Sequence, residues 1–132
     1  MTNKKQAVAP KTIFFGMEAF EDIDETTLRW LGNSGLLINS RGTTILVDPV
    51  LEGFDMPLLI DMPIDASKVP ALDAVLITHA DNDHFSIPTL RHLVKLNPQF
   101  HSPHYVVEQL EERLGVKGHG YDIGDEFQVD DL

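Results

Sequence analysis

Four side chains that can bind a metal ion fall within one stretch of six residues, 79–84. They are two imidazoles and two carboxylates, at His79, Asp81, Asp83 and His84. The preceding residues 74–77 are apolar and lack glycine and proline, which predicts a buried strand. Side chains at the carboxyl end of such a strand can converge on a ligand. The pattern therefore predicts a metal site in the loop that follows the strand.

The number of ions depends on the shape of this loop. If the chain stays extended, alternation places His79, Asp81 and Asp83 on one side and turns His84 away. A turn through Asn82 would instead offer two ligands to each of two neighbouring ions. The competing interpretation is a solvated turn, because Asp and Asn readily hydrogen-bond to their own backbone. Two histidines bracketing two aspartates directly after a buried strand favour the metal site.

The loop resembles the His-x-His-x-Asp-His signature of the metallo-β-lactamase superfamily, with Asp81 where a second histidine is usual. Upstream, Thr-Ile-Leu-Val-Asp-Pro at 44–49 is similar to the superfamily's strand that ends in a structural aspartate, here Asp48. Residues 28–38 are similar to the opening hairpin of the branch that includes the ascorbate-6-phosphate lactonases. The resemblance covers roughly residues 27–125.

This resemblance implies an α/β (α+β) fold, the amino-terminal half of an αββα sandwich. We expect an N-terminal arm at 1–26 and a partial metallo-β-lactamase-like domain at 27–132. In the superfamily, the second half supplies a further histidine, a bridging aspartate and a last histidine. Because the sequence has no candidates for these ligands before Leu132, we expect the chain to be the amino-terminal part of a larger enzyme.

The activity implied by the resemblance is metal-dependent hydrolysis of a small polar ester, lactone or phosphate-bearing substrate. Up to two divalent ions (manganese, iron or zinc) would hold and acidify a bridging water. His79 and Asp81 would bind one ion, and Asp83 and His84 the other. Asp83 would also be catalytic as a general base. Asp48 would orient a ligand histidine through its other ring nitrogen.

Two further expectations follow from this resemblance. A carboxylate at Asp81 hardens the ligand set, which favours manganese or iron(II) over zinc. The alternative to an enzyme is a non-catalytic metal-binding half-domain, or one that self-associates to cover an open sheet and so forms a homo-oligomer.

Composition restricts the partners and the compartment. The formal net charge of −11 disfavours nucleic acid as a partner. The absence of cysteine excludes disulfides and thiolate metal sites. No segment has membrane-spanning length, and the apolar run at 13–15 is too short for a signal-peptide core, so we expect a cytoplasmic protein that acts on a small molecule.

Local signals predict the elements around the loop. Strands of an antiparallel meander are expected at 27–31, 36–39 and 43–47. Helices are expected after the Ser-x-Pro and Ser-Pro signals at Ser86 and Ser102, with the second helix ended by Gly115. The long connection 51–72 is expected to form a pocket wall at the metal-site end of the sheet. Three other histidines lack partners at ligand spacing and are predicted to be structural or exposed: His101, His104 and His119. His92 lies one position off the apolar face of the first helix and is predicted to be a surface or boundary residue.

Overall fold

The computed structural model describes residues 8–55 and 58–132, and within them it has one six-stranded sheet and two helices. The strands are β1 (Thr26–Trp30), β2 (Leu36–Ser40), β3 (Thr43–Val47), β4 (Ala74–Leu76), β5 (Gln99–Pro103) and β6 (His119–Tyr121). The helices are α1 (Ile87–Leu93) and α2 (His104–Leu114). The predicted α/β fold is confirmed.

Strand order in the sheet follows strand order in the chain. β1, β2 and β3 form the predicted antiparallel meander, and Gly32 and Gly42 in its turns have φ of 88° and 91°, which glycine adopts without strain. From β3 onward the strands are parallel, with Val47 opposite Leu76 in the β3–β4 pair. The carboxyl ends of β3 and β4 therefore lie side by side, which brings residue 48 next to residues 77–78.

The two helices cover one face of the sheet. Alternate strand residues point into this layer. The main core contains Leu37, Leu46, Val75 and Phe100 from the strands and Leu90, Leu93, Val106 and Leu110 from the helices. Neither helix is long and apolar enough to cross a membrane, nor is any other helix in the described ranges.

The opposite face of the sheet is less completely covered. Val129 packs there on Ile45 and Ala74, and all three are buried. At the β1 edge of the same face, Leu28 and Trp30 leave 66% and 57% of their surfaces exposed.

Helix α1 begins as the sequence predicts. The Ser86 side chain accepts a hydrogen bond from the Thr89 amide, and a proline lies in the first turn. A short 3₁₀ turn, Val94–Leu96, continues the helix to Asn97, whose φ of 54° ends it before Pro98.

The cap predicted for α2 is wrong. Ser102 lies in β5, paired with Gly120 of β6, because the strand continues through Pro103. Helix α2 starts at His104, directly after Pro103, and has no side-chain cap. Its carboxyl end at Gly115 has the predicted left-handed conformation.

Part of the predicted arm is fastened to the sheet. A 3₁₀ turn at Met17–Phe20 buries Ala19 and Phe20. The buried Asn39 amide donates to the carbonyls of Ala19 and Glu21 at 3.0 and 2.8 Å. Residues 1–7 lie outside the described ranges, and the division into arm and domain stays a prediction.

Candidate metal centre

The loop between β4 and α1 is a turn. The amides of His84 and Phe85 both donate to the Asp81 carbonyl, at 2.9 and 2.8 Å. The extended alternative is therefore wrong, and so is its expectation that His84 turns away. The physical reason is that the chain must turn between β4 and α1 while Phe85, 4% exposed, enters the core.

The turn brings three of the four predicted ligands together. One ligand atom from each of His79, Asp83 and His84 lies within 4.8 Å of the other two. The two imidazole rings are 3.9 Å apart between centroids. The His84 side chain is 17% exposed, whereas those of His79 and Asp83 are 46% and 41% exposed, so the cluster is open to solvent on one side.

Asp81 lies outside this three-residue cluster but beside one of its members. Its Oδ2 is 3.4 Å from His79 Nε2, and its side chain is 79% exposed. Asp83 Oδ2 lies similarly 3.5 Å from His84 Nε2. Each imidazole therefore has its own carboxylate neighbour. The assignment of the four residues as ligands, and of Asp83 as a base, stays a prediction.

Asp48 lies beneath the loop with only 3% of its surface exposed. Its amide donates to the Leu76 carbonyl at 2.8 Å, which holds it against the end of β4. Its Oδ1 accepts from the Thr78 amide at 2.7 Å, and its Oδ2 from the Thr78 hydroxyl at 2.6 Å. Oδ2 is also 2.8 Å from His84 Nδ1. This last contact has the geometry that orienting a ligand histidine requires, although the role itself stays a prediction.

The surroundings of Asp48 explain how a carboxylate can be buried there. Burying a charge is costly unless hydrogen bonds replace its water, and Thr78 and His84 supply three such contacts. Asp48 also has a φ of 44°, a left-handed conformation that costs most non-glycine residues about 1–2 kcal/mol and that aspartate adopts more readily than most. Backbone strain of this kind clusters at functional sites.

The donor set fits a divalent cation. With Nδ1 of His84 donating to Asp48, a neutral His84 presents a lone pair at Nε2, and the facing Asp83 carboxylate can only accept. A metal cation between these two acceptors, which are 3.5 Å apart, would bind both of them. Imidazole nitrogen and carboxylate oxygen are ligands that zinc, iron and manganese accept.

Sequence reasoning missed two residues of the site, Thr78 and Asn33. Thr78 contacts both Asp48 and His79, and its position directly before a candidate ligand was the available signal. Asn33, in the turn between β1 and β2, donates to the Asp83 carbonyl at 3.1 Å and accepts from the Trp30 indole at 2.8 Å. No sequence signal links Asn33 to a loop 50 residues away.

The remaining histidines lie outside the cluster. His92 pairs with Glu52 at 3.1 Å, and the exposed His104 lies 3.4 Å from Asp122. His101 is buried, with its ring nitrogens near the Tyr121 hydroxyl and the Gln99 side chain. Burial lowers the pKa of His101, and the charge of His119 lowers it further.

Part of the long connection lines a cavity, which it shares with the arm and the end of β1. Ile60, Asp61 and Pro63 face the arm and the end of β1 across a cavity of about 470 Å³. The beginning of the connection is tied to α1 instead, where the Glu52 carbonyl accepts from Ser86 at 2.6 Å. Residues 56 and 57 lie outside the described ranges.

The match to known proteins agrees with this geometry. A family model described as a beta-lactamase superfamily domain matches residues 27–131. The chain belongs to this superfamily. The predicted membership of the metallo-β-lactamase superfamily is confirmed, and the lactonase-like branch within it stays a prediction.

Individual relatives of this superfamily member are longer proteins. An uncharacterized protein of Mycobacterium bovis is 32% identical over 80 residues, 55% of this chain and 22% of that protein. A metal-dependent hydrolase of Thermus thermophilus is 40% identical over 58 residues, 44% of this chain and 23% of that protein. A metallo hydrolase from Ignicoccus hospitalis has a similar structure, with a TM-score of 0.58, 26% identity, and coverage of 80% of this chain and 43% of that one. The chain spans less than half of each.

Proposed function

We propose that residues 79–84 form part of the metal centre of a hydrolase that acts on a small polar ester, lactone or phosphate-bearing substrate. The observation that carries the proposal is the cluster of His79, Asp83 and His84 above the buried Asp48. The named hydrolases among the relatives support the same reaction type. Because the chain covers 43% of the Ignicoccus hydrolase, we propose this loop as one part of the hydrolytic site.

In this proposal the chain's own residues hold and aim the reacting groups. His79 and His84 would bind a divalent ion through Nε2, and Asp81 and Asp83 would add carboxylate oxygens. A metal ion bound there supplies Lewis acidity and lowers the pKa of a bound water. Asp83, exposed at 41%, is accessible to accept a proton from the attacking water. Asp48 would keep His84 in the orientation that binding requires.

Removal of both imidazoles tests the metal site directly. We expect the double variant His79→Ala with His84→Ala to lose stoichiometric binding of manganese, iron(II) or zinc, measured by calorimetry and elemental analysis. The matched control removes two imidazoles elsewhere, His92→Ala with His104→Ala, and should bind as the unchanged chain does. Unchanged binding by the first double variant would contradict the proposal.

A second candidate function is a non-catalytic module that associates with itself. The observation in its favour is the exposed apolar edge formed by Leu28 and Trp30 on the less covered sheet face. A homo-oligomer that covers this face would remove apolar surface from water. Turnover on a panel of lactones and phosphodiesters would support the hydrolase, whereas an oligomer that neither binds metal nor turns over any of these substrates would support the module. We also propose that the hydrolase acts on a small-molecule substrate and is located in the cytoplasm.

A further inference from the structure

We propose that Thr78 is a positioning residue which, together with Asp48, determines the tautomer of both histidines in the metal cluster. The proposal rests on the proposed metal site, because it concerns how His79 and His84 present their nitrogens to an ion. Its starting observation is a chain of short contacts from His84 through Asp48 and Thr78 to His79.

The direction of the hydrogen bonds follows from counting protons. The Asp48 carboxylate can only accept, so the Thr78 hydroxyl donates its single proton to Oδ2 across 2.6 Å. The same hydroxyl oxygen lies 2.9 Å from His79 Nδ1. With its proton already used, the hydroxyl must accept in this second contact. Nδ1 of His79 therefore carries the proton.

The tautomer of His84 follows from its direct contact with Asp48. His84 Nδ1 is 2.8 Å from Asp48 Oδ2, which again can only accept, so Nδ1 of His84 also carries a proton. In the neutral state both rings then present a lone pair at Nε2. These Nε2 atoms are the ones that face carboxylates, at 3.4 Å for His79 and 3.5 Å for His84. One buried carboxylate thus prepares both imidazoles to bind through Nε2.

Thr78 suits this task because its two donors hold both oxygens of Asp48. The amide binds Oδ1 at 2.7 Å and the hydroxyl binds Oδ2, which fixes the rotation of the carboxylate. Serine keeps the hydroxyl, whereas valine keeps the branched shape and loses both the donor and the acceptor. Because the Thr78 side chain is exposed, both substitutions leave the apolar core unchanged, and Thr78→Val removes one donor from the buried Asp48 carboxylate.

The test is to read the tautomers of the metal-free chain by long-range ¹H–¹⁵N correlation NMR, at a pH of about 8 where an ordinary histidine is neutral. We expect His79 and His84 to carry the proton on Nδ1, and Thr78→Ser to preserve this. In Thr78→Val, His79 should become a mixture of tautomers. His84 should stay as it is, because it contacts Asp48 directly. An amide spectrum verifies that each variant is folded.

Metal affinity provides a second readout. We expect Thr78→Val to weaken binding of manganese or zinc about tenfold or more, and Thr78→Ser to change it by less than about threefold. Nε2 protonation of His79 in the unchanged chain, or an unchanged tautomer in Thr78→Val, would overturn the inference even if metal binds. Failure of the unchanged chain to bind metal, with the tautomers as described, would instead contradict the proposed function.

Discussion

At the scale of single residues, the carboxylate of Asp48 organises the site without facing solvent. Asp48 combines 3% exposure with a left-handed φ of 44° and three hydrogen-bonding contacts. Both features are unfavourable unless the surrounding structure compensates for them. Thr78 and His84 provide that compensation, so the support of the metal loop and the stability of the β3 end depend on the same contacts.

The identity of the residue at position 81 should influence which metal the loop prefers. Asp81 is the one departure from the superfamily's histidine pattern, and it places a hard oxygen donor 3.4 Å from His79 Nε2. We expect Asp81→His to shift the preference from manganese or iron(II) towards zinc. Competition between metal pairs, followed by elemental analysis, measures this ranking.

The control for this change is Asp65→His, which adds an imidazole at an exposed aspartate outside the metal loop. It should leave the ranking of metals as in the unchanged chain. An identical ranking in Asp81→His and in the unchanged chain would show that position 81 takes no part in metal choice.

At the scale of secondary structure, the beginning of α1 is tied to the chain that leaves β3. The Thr89 hydroxyl accepts from the amides of Leu51 and Glu52 at 3.0 and 3.1 Å. The Ser86 hydroxyl caps α1 and contacts the Glu52 carbonyl. Since the metal loop ends where α1 begins, this junction holds one end of the loop while β4 holds the other.

The cap at Ser86 should therefore contribute measurably to stability. We expect Ser86→Ala to lower the free energy of unfolding by about 1–2 kcal/mol, because it removes the α1 cap and the shorter of the two hydroxyl hydrogen bonds to the Glu52 carbonyl. Urea denaturation followed by circular dichroism measures the change. Ser34→Ala, at an exposed turn serine, is the control and should change stability by less than about 0.5 kcal/mol. Equal effects of the two variants would argue against the junction.

The pairing of β5 and β6 should make stability depend on pH. Burial lowers the pKa of His101 in the folded chain, so the His101 imidazole binds a proton more readily in the unfolded chain. Well above a pH of about 6.5, the ordinary histidine pKa, the His101 imidazole is neutral in both the folded and the unfolded chain, so it does not make stability depend on pH. As the pH falls through that value, the folded state loses stability relative to the unfolded state.

Comparing unfolding free energies at neutral and mildly acidic pH tests this expectation. His101→Gln should reduce the loss on acidification, whereas His104→Gln, at a side chain 64% exposed, should not. The same loss in all three chains would show that His101 does not contribute.

At the scale of the whole molecule, the two faces of the sheet differ in how completely other parts of the chain cover them. Both helices pack on one face, while the other carries the small cluster of Ile45, Ala74 and Val129. The exposed Leu28 and Trp30 lie at the β1 edge, where the strand's outer side has no partner among the described residues. Apolar surface beside an unpaired strand favours association.

We therefore expect the chain to self-associate, and Leu28→Lys to shift it towards the monomer. Sedimentation at two protein concentrations measures the distribution of species. Tyr105→Lys is the matched control, because Tyr105 is also large and exposed, at 61%, but lies on α2. A monomer in the unchanged chain at both concentrations would contradict the prediction.

The elements were predictable wherever the signal is local. Short strand-forming segments and the glycine-containing turns between them located β1 to β3 within one residue at each end. Ser86, Pro88 and Gly115 marked helix ends because capping depends on residues one turn apart. The cap at Ser102 failed because strand pairing with β6, a non-local contact, extended β5 through that residue.

The sequence by itself determined the family, the set of candidate ligands in residues 79–84, and the strand and helix that flank them. Only the tertiary structure decided how those ligands are arranged: a turn in place of an extended loop, Asp81 outside the cluster, and His79 linked to Asp48 through Thr78. The physical reason is that parallel pairing of β3 with β4 brings Asp48 against Thr78 and His84, 30 and 36 residues away. Local periodicity carries no information about contacts at that separation.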